Sequence, residues 1–212
     1  MRIILEQTSA LLIDVQDRLF PHMYEREALG QNLPILLKGL QILGVPLLVT
    51  QQYTKGLGPT IPSLQEILGW TTSSAISDQK SAASPNPAAT PTTTTTPVPS
   101  EGTPYIEKIA FSCFDEPAFA KALEALGRRR VVLAGIEAHV CVLQTAVDLQ
   151  QAGYTPVVIE NCTSSRREND KHIAFERFHA EGILVSTYES ILFELTREAG
   201  TETFKAISNL VK

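Results

Sequence analysis

The chain has 212 residues, 43% of them hydrophobic, which is enough for the core of one α/β domain and short for two. Its formal net charge of −5 does not suggest a nucleic-acid or membrane-surface partner, and no apolar run approaches the roughly 18 residues of a membrane span. Three cysteines without a pairing pattern argue against a disulfide scaffold, and the first residues resemble neither a signal nor a transit peptide, so we expect a cytoplasmic protein.

Apolar runs alternate with helical patterns along the chain. The run 10–13 predicts a buried strand, leucines at helical spacing predict a helix over 26–43, and 45–49 predicts a second strand. A third strand follows an interruption, and the alternation then continues with helices at 117–126, 140–152, 168–181 and 189–199 and strands at 131–134, 156–159 and 183–185. This pattern indicates an α/β fold: three-layer, Rossmann-like and doubly wound, with a mostly parallel six-stranded sheet and helices on both faces.

The interruption at 71–103 has a different composition from the rest of the chain. It is rich in Ser, Thr, Ala and Pro and shows almost no apolar periodicity. Such a composition cannot bury enough apolar surface to offset the entropy lost on ordering. We therefore predict one domain over 1–212 with a flexible insertion at 71–103. A mobile surface loop is the main interpretation, and a lid over the active site is the alternative.

Three reactive side chains fall at predicted strand ends, where open parallel sheets place their sites. Asp14 follows the first strand, Lys108 lies just after the insertion, and Cys141 begins a helix after the strand 131–134. Each residue has a plainer interpretation by itself: Asp14 as a helix cap or ion-pair member, Lys108 as a solvated charge, and Cys141 as a small buried hydrophobe. The functional interpretation depends on all three meeting at one edge of one sheet.

Cys141 is the most informative of the three. A cysteine in the first turn of a helix lies at the positive end of the helix dipole, which favours its thiolate, and a nearby lysine acts in the same direction. We therefore predict a lowered thiol pKa at Cys141, set by the helix start and Lys108, with Asp14 as the proton shuttle. The same helix start offers backbone N–H groups that can stabilise an oxyanion.

Three blocks of the sequence carry a family resemblance. Residues 11–16, the lysine at 108 and residues 135–142 resemble, in order and spacing, the signature blocks of isochorismatase-like cysteine hydrolases. Residues 50–60 and 162–166 are most similar to the isochorismatase domain-containing protein subgroup. The resemblance runs from about residue 5 to the C-terminus, apart from the insertion.

The resemblance implies a mechanism and a backbone geometry. Cys141 would attack a carbonyl carbon, Asp14 would accept the thiol proton, and Lys108 would hold the carboxylate in place. The backbone N–H groups of Glu137 and Cys141 would form the oxyanion hole, with a cis peptide bond between Ile136 and Glu137.

The resemblance also implies the class of reaction. Relatives that hydrolyse nicotinamide bind a metal through an Asp and His cluster after the second strand, but residues 51–64 here contain neither histidine nor an acid. We therefore expect no metal and no cofactor. Because isochorismatases that cleave vinyl ethers lack the cysteine, Cys141 favours hydrolysis of a small amide- or imide-type C–N bond through a covalent intermediate.

Two other classes of function stay open. The fold could serve as a non-catalytic oligomeric binding scaffold, or Cys141 could act alone in a thiol redox protein. The resemblance implies a homo-oligomer, a dimer or larger. A small-molecule substrate, planar or aromatic, is suggested by the candidate pocket residues, which are Gln16, Phe20, Gln51, Tyr53, Phe111 and His139.

Overall fold

The computed structural model describes residues 1–70 and 103–212. The insertion expected at 71–103, and with it the alternative of a lid, therefore lies outside the described residues except for Thr103. None of the described helices is long and apolar enough to cross a membrane.

A six-stranded sheet forms the centre of the described chain. Its strands, in chain order, are β1 (Thr8–Ile13), β2 (Leu47–Gln52), β3 (Tyr105–Lys108), β4 (Arg130–Ile136), β5 (Thr155–Ser164) and β6 (Leu184–Ser186). They lie in the order β3-β2-β1-β4-β5-β6, and every neighbouring pair is parallel. The sequence predicts a mostly parallel sheet, and the one observed is parallel throughout.

The chain winds away from β1 in both directions. It runs from β1 through β2 to the edge strand β3, then returns to β4 on the other side of β1 and continues to β5 and β6. The direction of winding therefore reverses between β1 and β4. In an open parallel sheet, this switch point at the carboxyl ends of the strands is where a crevice opens and ligands bind.

Helices cover both faces of the sheet, as predicted. They are α1 (Arg26–Ile42), α2 (Thr54–Leu57), α3 (Pro62–Ile67), α4 (Pro117–Ala125), α5 (Leu143–Gln151), α6 (Glu168–Ala180), α7 (Tyr188–Thr196) and α8 (Glu202–Leu210). One apolar core lies under α1, α3, α7 and α8, and its fully buried side chains include Leu33, Leu36, Leu40, Leu64, Ile191 and Ile207. A second lies under α4, α5 and α6 and includes Phe119, Leu123, Ala146, Leu149 and Phe178. Burial on both faces explains why every residue of β1 is buried.

Several elements differ from the sequence prediction, which did not include the short helices α2 and α3. The helix expected over 140–152 begins with a π-helical turn, Ala138–Val142, before α5. The helix α8 was not predicted, although Thr201 caps it by accepting a hydrogen bond from the N–H of Phe204, and Ile207 packs into the core. A Thr at a helix start is a weak signal by itself, and docking on α1 and α7 adds the tertiary contacts that a short helix needs.

Candidate active site

The carboxyl ends of β1, β2 and β3 bring Asp14 and Lys108 together. Ile13 pairs with Thr50 and Gln52 pairs with Lys108 in the sheet register, so Asp14 and Lys108 end strands that flank β2. The Lys108 ammonium nitrogen lies 2.7 Å from Oδ2 of Asp14, and the exposed fractions of the two side chains are 0% and 1%. This is a fully buried ion pair, which is stabilising only when further hydrogen bonds compensate both charges.

Such compensation surrounds Lys108. Its Nζ donates to Oε1 of Gln52 at 2.6 Å, to the carbonyl oxygen of Ala110 at 3.2 Å and to that of Phe111 at 3.1 Å. The segment that follows β3 therefore folds back over the side chain of Lys108, the last residue of that strand. A charged ammonium is tolerated here because oxygen atoms replace the water it has lost.

Asp14 is held by an equally close set of groups. Its Oδ1 accepts a hydrogen bond from the Thr50 hydroxyl at 2.8 Å, and the neighbouring Cys141 thiol acts to lower the pKa of the same carboxyl. Its backbone is left-handed, with φ of 53°, a conformation that aspartate tolerates better than most residues. The strand therefore ends at Asp14 with its carboxylate between the lysine and the cysteine.

Cys141 lies across the switch point, in the π-helical turn between β4 and α5. The close approach of β4 to β1 depends on Gly135, whose φ is +130° and where a Cβ atom would lie 2.1 Å from the carbonyl oxygen of Ile13. No other residue type fits that contact. The peptide bond between Ile136 and Glu137 is cis, as the resemblance implies.

The pKa values of the cluster depart from ordinary values, and one prediction is wrong. Burial raises the pKa of the Cys141 thiol, and the Asp14 carboxylate raises it further, while Lys108 opposes both. The predicted lowering at the helix start does not occur, because loss of solvent outweighs the lysine. Burial also raises the pKa of Asp14 against the effects of Lys108 and Thr50. For Lys108, burial acts to lower the pKa, but the surrounding negative groups, Asp14 first, raise it overall.

A cavity of about 240 Å³ opens onto this cluster. It is lined by Asp14, Leu19, Gln52, Leu57, Phe111, Glu137, Val140, Cys141 and Arg166. The Glu137 carboxylate is bound through Oε2 by the backbone N–H and the Nε of Arg166, each at 3.1 Å. The cavity is therefore apolar on most sides, with the reactive groups at one wall and an ion pair at another. A site of this size suits a small ligand.

Of the six pocket candidates, Phe111 lines this cavity and the other five lie elsewhere. Gln16 is fully buried and braces the loop after β2: its amide donates to the carbonyl oxygens of Gln52 and Gly58, and its Oε1 accepts from the N–H of Gln52. Gln51 bonds instead to Thr60 and Thr54. Both glutamines therefore serve the shape of the loop.

The remaining three candidates surround the site without lining it. Phe20 packs against the core beside α1. Tyr53 is half exposed, with left-handed backbone just after β2. His139 lies one turn before the helix α5, where its Nδ1 is 2.9 Å from the hydroxyl oxygen of Ser165.

Sequence reasoning missed several residues of the site. Thr50 and Gln52 hold Asp14 and Lys108, and Arg166 holds Glu137, yet none was chosen as a site residue. Side chains of a strand alternate between faces, so Thr50 and Gln52 lie on the opposite side from Gln51. A polar run at a strand end signals a site, but the sequence does not say which face of the strand turns towards it.

Metal-ligating side chains are dispersed in the described part of the chain. Within residues 1–70 and 103–212, no three His, Cys, Asp or Glu side chains form a group that could hold a metal ion. Near the cavity, the acidic side chains are paired with cations: Asp14 with Lys108, and Glu137 with Arg166.

Known proteins resemble this chain in sequence and in fold. The family model of the isochorismatase domain matches residues 8–190. Isochorismatase family protein 1B of Dictyostelium discoideum is 29% identical over 211 residues, which cover 99% of this chain and 88% of that protein. The structure of Mar1 ribonuclease from Caenorhabditis elegans has a TM-score of 0.79 at 28% identity, covering 100% of this chain and 92% of the other.

A further solved structure shares the fold at lower identity. The YcaC gene product of Escherichia coli, described as an octameric hydrolase of unknown specificity, has a TM-score of 0.79 at 20% identity, covering 99% of this chain and 90% of the other. Fold and site together define an open, parallel α/β protein with a buried cluster of polar side chains at the switch point. The chain belongs to the isochorismatase family of hydrolases.

Proposed function

We propose that this protein is a metal-independent cysteine hydrolase that cleaves an amide- or imide-type C–N bond in a small molecule. The observation that carries the proposal is that Asp14 and Cys141 lie together in the wall of a cavity of about 240 Å³, with Lys108 paired to Asp14. A nucleophile, a base that contacts it and a third group that orients the base are the parts that covalent catalysis needs.

In the first half of the reaction, the Cys141 sulfur attacks the carbonyl carbon while its proton passes to Asp14. Since burial and Asp14 hold the pKa of the thiol above its ordinary value, the resting sulfur is protonated and proton transfer accompanies attack. The backbone N–H groups of Glu137 and Cys141 stabilise the oxyanion in this proposal. Asp14 then protonates the leaving nitrogen, the C–N bond breaks, and a thioester remains on Cys141.

In the second half, water hydrolyses the thioester. The oxygen of the water bonds to the carbonyl carbon while Asp14 accepts a proton from that water. The C–S bond then breaks. The sulfur takes that proton back from Asp14, and a carboxylic acid leaves. The net reaction converts an amide and water into an acid and an amine. Throughout, Lys108 neutralises Asp14 whenever the carboxylate is ionised.

The same proposal covers the partners and the location. The cavity volume and the net charge of −5 favour a small-molecule substrate over a polyanion, although one relative is called a ribonuclease. We propose a homo-oligomer, by analogy with the relative described as octameric. Three free, buried cysteines suit a reducing compartment such as the cytoplasm.

The test is a screen of small amides and imides, among them acetamide, benzamide, succinimide and hydantoin, with the purified protein. Release of ammonia, or ring opening for the imides, measures turnover, and acid-quenched intact mass measures an acyl adduct. We expect at least one compound to turn over and to leave an adduct that maps to Cys141. The variant Cys141→Ser removes the nucleophile, and Cys162→Ser removes a buried thiol on β5 as the matched control.

The rival functions give different results. A binding scaffold would show no turnover and no adduct, even with electrophilic amides such as chloroacetamide. A thiol redox protein would turn over no amide or imide in the screen, yet hydrogen peroxide would oxidise its Cys141 reversibly in both wild type and Asp14→Asn. Either result would overturn the hydrolase proposal.

A further inference from the structure

Thr50 lies beneath the reactive cluster and contacts Asp14 twice. It belongs to β2 and pairs with Ile13 in the sheet, and its carbonyl oxygen accepts the N–H of Asp14 at 3.3 Å. Its hydroxyl also bonds to Oδ1 of Asp14 at 2.8 Å. Thr50 is fully buried, so no water competes for that hydroxyl.

The direction of this hydrogen bond follows from the groups around it. An ionised carboxylate accepts and cannot donate, so the one hydroxyl proton of Thr50 points at Oδ1. The Cys113 sulfur lies 3.7 Å from the same hydroxyl oxygen. Burial raises the pKa of Cys113 to about 12, so this sulfur is a protonated thiol, and it donates to the oxygen lone pair that Thr50 leaves free.

The groups around Asp14 therefore contact its two carboxylate oxygens separately. Thr50 occupies Oδ1 from below, and the Lys108 ammonium pairs with Oδ2 from the side of β3. The Cys141 thiol faces the same carboxyl across the switch point and acts to lower its pKa. Cys113 is the remaining titratable side chain that acts on this cluster among the described residues, and it reaches Asp14 through Thr50.

We propose that Thr50 is a positioning residue for the proton transfer between Cys141 and Asp14: its hydroxyl fixes the rotation of the carboxylate and, together with Lys108, favours the anion that accepts the thiol proton. This inference rests on the proposed function, because it concerns the base of that reaction. Burial raises the pKa of Asp14 and so favours the protonated carboxyl, which cannot accept the thiol proton. The Thr50 hydroxyl stabilises the anion directly, as a donor does at any carboxylate.

The experiment measures the titration of Asp14 without any substrate. Protein labelled with ¹³C at aspartate carboxyl carbons is titrated by NMR, and the Asp14 signal is identified by its loss in Asp14→Asn. In Thr50→Val, which keeps the branched shape and lacks the hydroxyl, we expect the midpoint to rise by about one pH unit, the effect of one lost hydrogen bond to a charged group. Thr50→Ser keeps the hydroxyl, and its midpoint should stay within a few tenths of a unit of wild type.

The controls separate positioning from simple packing and from the proposed function. A merely structural Thr50 would change thermal stability but leave the Asp14 midpoint unchanged in Thr50→Val, and that result would overturn the inference. If Thr50→Val does not fold, Thr50→Ala, which also lacks the hydroxyl, provides the same comparison. A shifted midpoint in a protein that hydrolyses no amide would sink the proposed function alone, while turnover with an unshifted midpoint would sink the role of Thr50 alone.

Discussion

Lys108 at the end of the edge strand β3 reaches across β2 and places its ammonium 2.7 Å from the carboxylate of Asp14 at the end of β1. The strand between them contributes Gln52, which accepts a hydrogen bond from the same ammonium at 2.6 Å. The three strand ends therefore form one buried polar unit. Cys141 faces that unit across the switch point, from the π-helical turn that follows β4.

Removing the cation of this unit should deactivate the thiol. In Lys108→Met, we expect iodoacetamide to alkylate Cys141 at pH 8 about tenfold more slowly, because the charge that opposes the raised thiol pKa is gone. The free energy of unfolding should also fall by about 3–5 kcal/mol, since an unpaired carboxylate stays buried. The exposed Lys121→Met is the matched control and should leave both quantities unchanged. Equal labelling of Cys141 in the wild type and in Lys108→Met would contradict the prediction.

Removing the anion should have the opposite effect on the thiol. Asp14 raises the pKa of Cys141, so Asp14→Asn should lower that pKa and leave alkylation at pH 8 as fast as in wild type or faster. Turnover of a true substrate should nevertheless be abolished, because no group then moves the proton to the leaving nitrogen. The exposed Asp115→Asn is the control for both measurements. Slower alkylation in Asp14→Asn would show that the carboxylate activates the thiol before substrate binds.

Buried thiols should make the protein less stable in alkali. Burial raises the pKa of all three cysteines, that of Cys113 from 9.0 to about 12. Above pH 9 the unfolded chain then releases thiol protons that the folded chain keeps, so stability falls as pH rises, by about 1.4 kcal/mol per pH unit for each thiol. Urea unfolding between pH 8 and pH 10 measures this slope. Cys162→Ala should reduce it, and an unchanged slope would mean that Cys162 titrates normally when folded.

A methyl group at Gly135 should disrupt the contact between β4 and β1. Its Cβ would lie 2.1 Å from the backbone oxygen of Ile13, so we expect Gly135→Ala to lose more than about 3 kcal/mol or to fail to fold. Gly127 also has a positive φ, of +62°, but has open space around it. Gly127→Ala should therefore cost only about 1 kcal/mol. Similar losses in the two variants, measured by chemical denaturation, would show that backbone conformation alone sets the cost.

The segment 71–102 should be dispensable for folding. The chain on its two sides meets, because the N–H of Thr103 donates to the carbonyl oxygen of Leu68 at 3.2 Å and Trp70 packs against Tyr105. A short Gly/Ser linker can therefore replace the segment without stretching β3 away from β2. We expect the thermal midpoint of the shortened protein to stay within a few degrees of wild type. A fall in the midpoint that corresponds to several kcal/mol of lost stability would show that the segment packs on the domain.

Much of the fold and the three reactive residues could be predicted from local pattern. Apolar runs and helical periodicity identified the six strands, and strand ends in a parallel sheet identified Asp14, Lys108 and Cys141 as residues that could meet. These features depend on residue type and short spacing, which a sequence displays directly. The family model that matches residues 8–190 confirms the resemblance that the order and spacing of the sequence blocks indicated.

Only the tertiary structure decided how these residues are surrounded. The thiol pKa was predicted to fall, and it rises, because burial and the Asp14 carboxylate outweigh the nearby Lys108. Gln52 and Thr50 belong to the site while Gln16 and Gln51 brace a loop, since the orientation of a strand end depends on its neighbours. The sequence by itself determined which chemically reactive side chains lie at the strand ends. The burial and orientation of those side chains, which arise only when distant segments pack, determined what they can do.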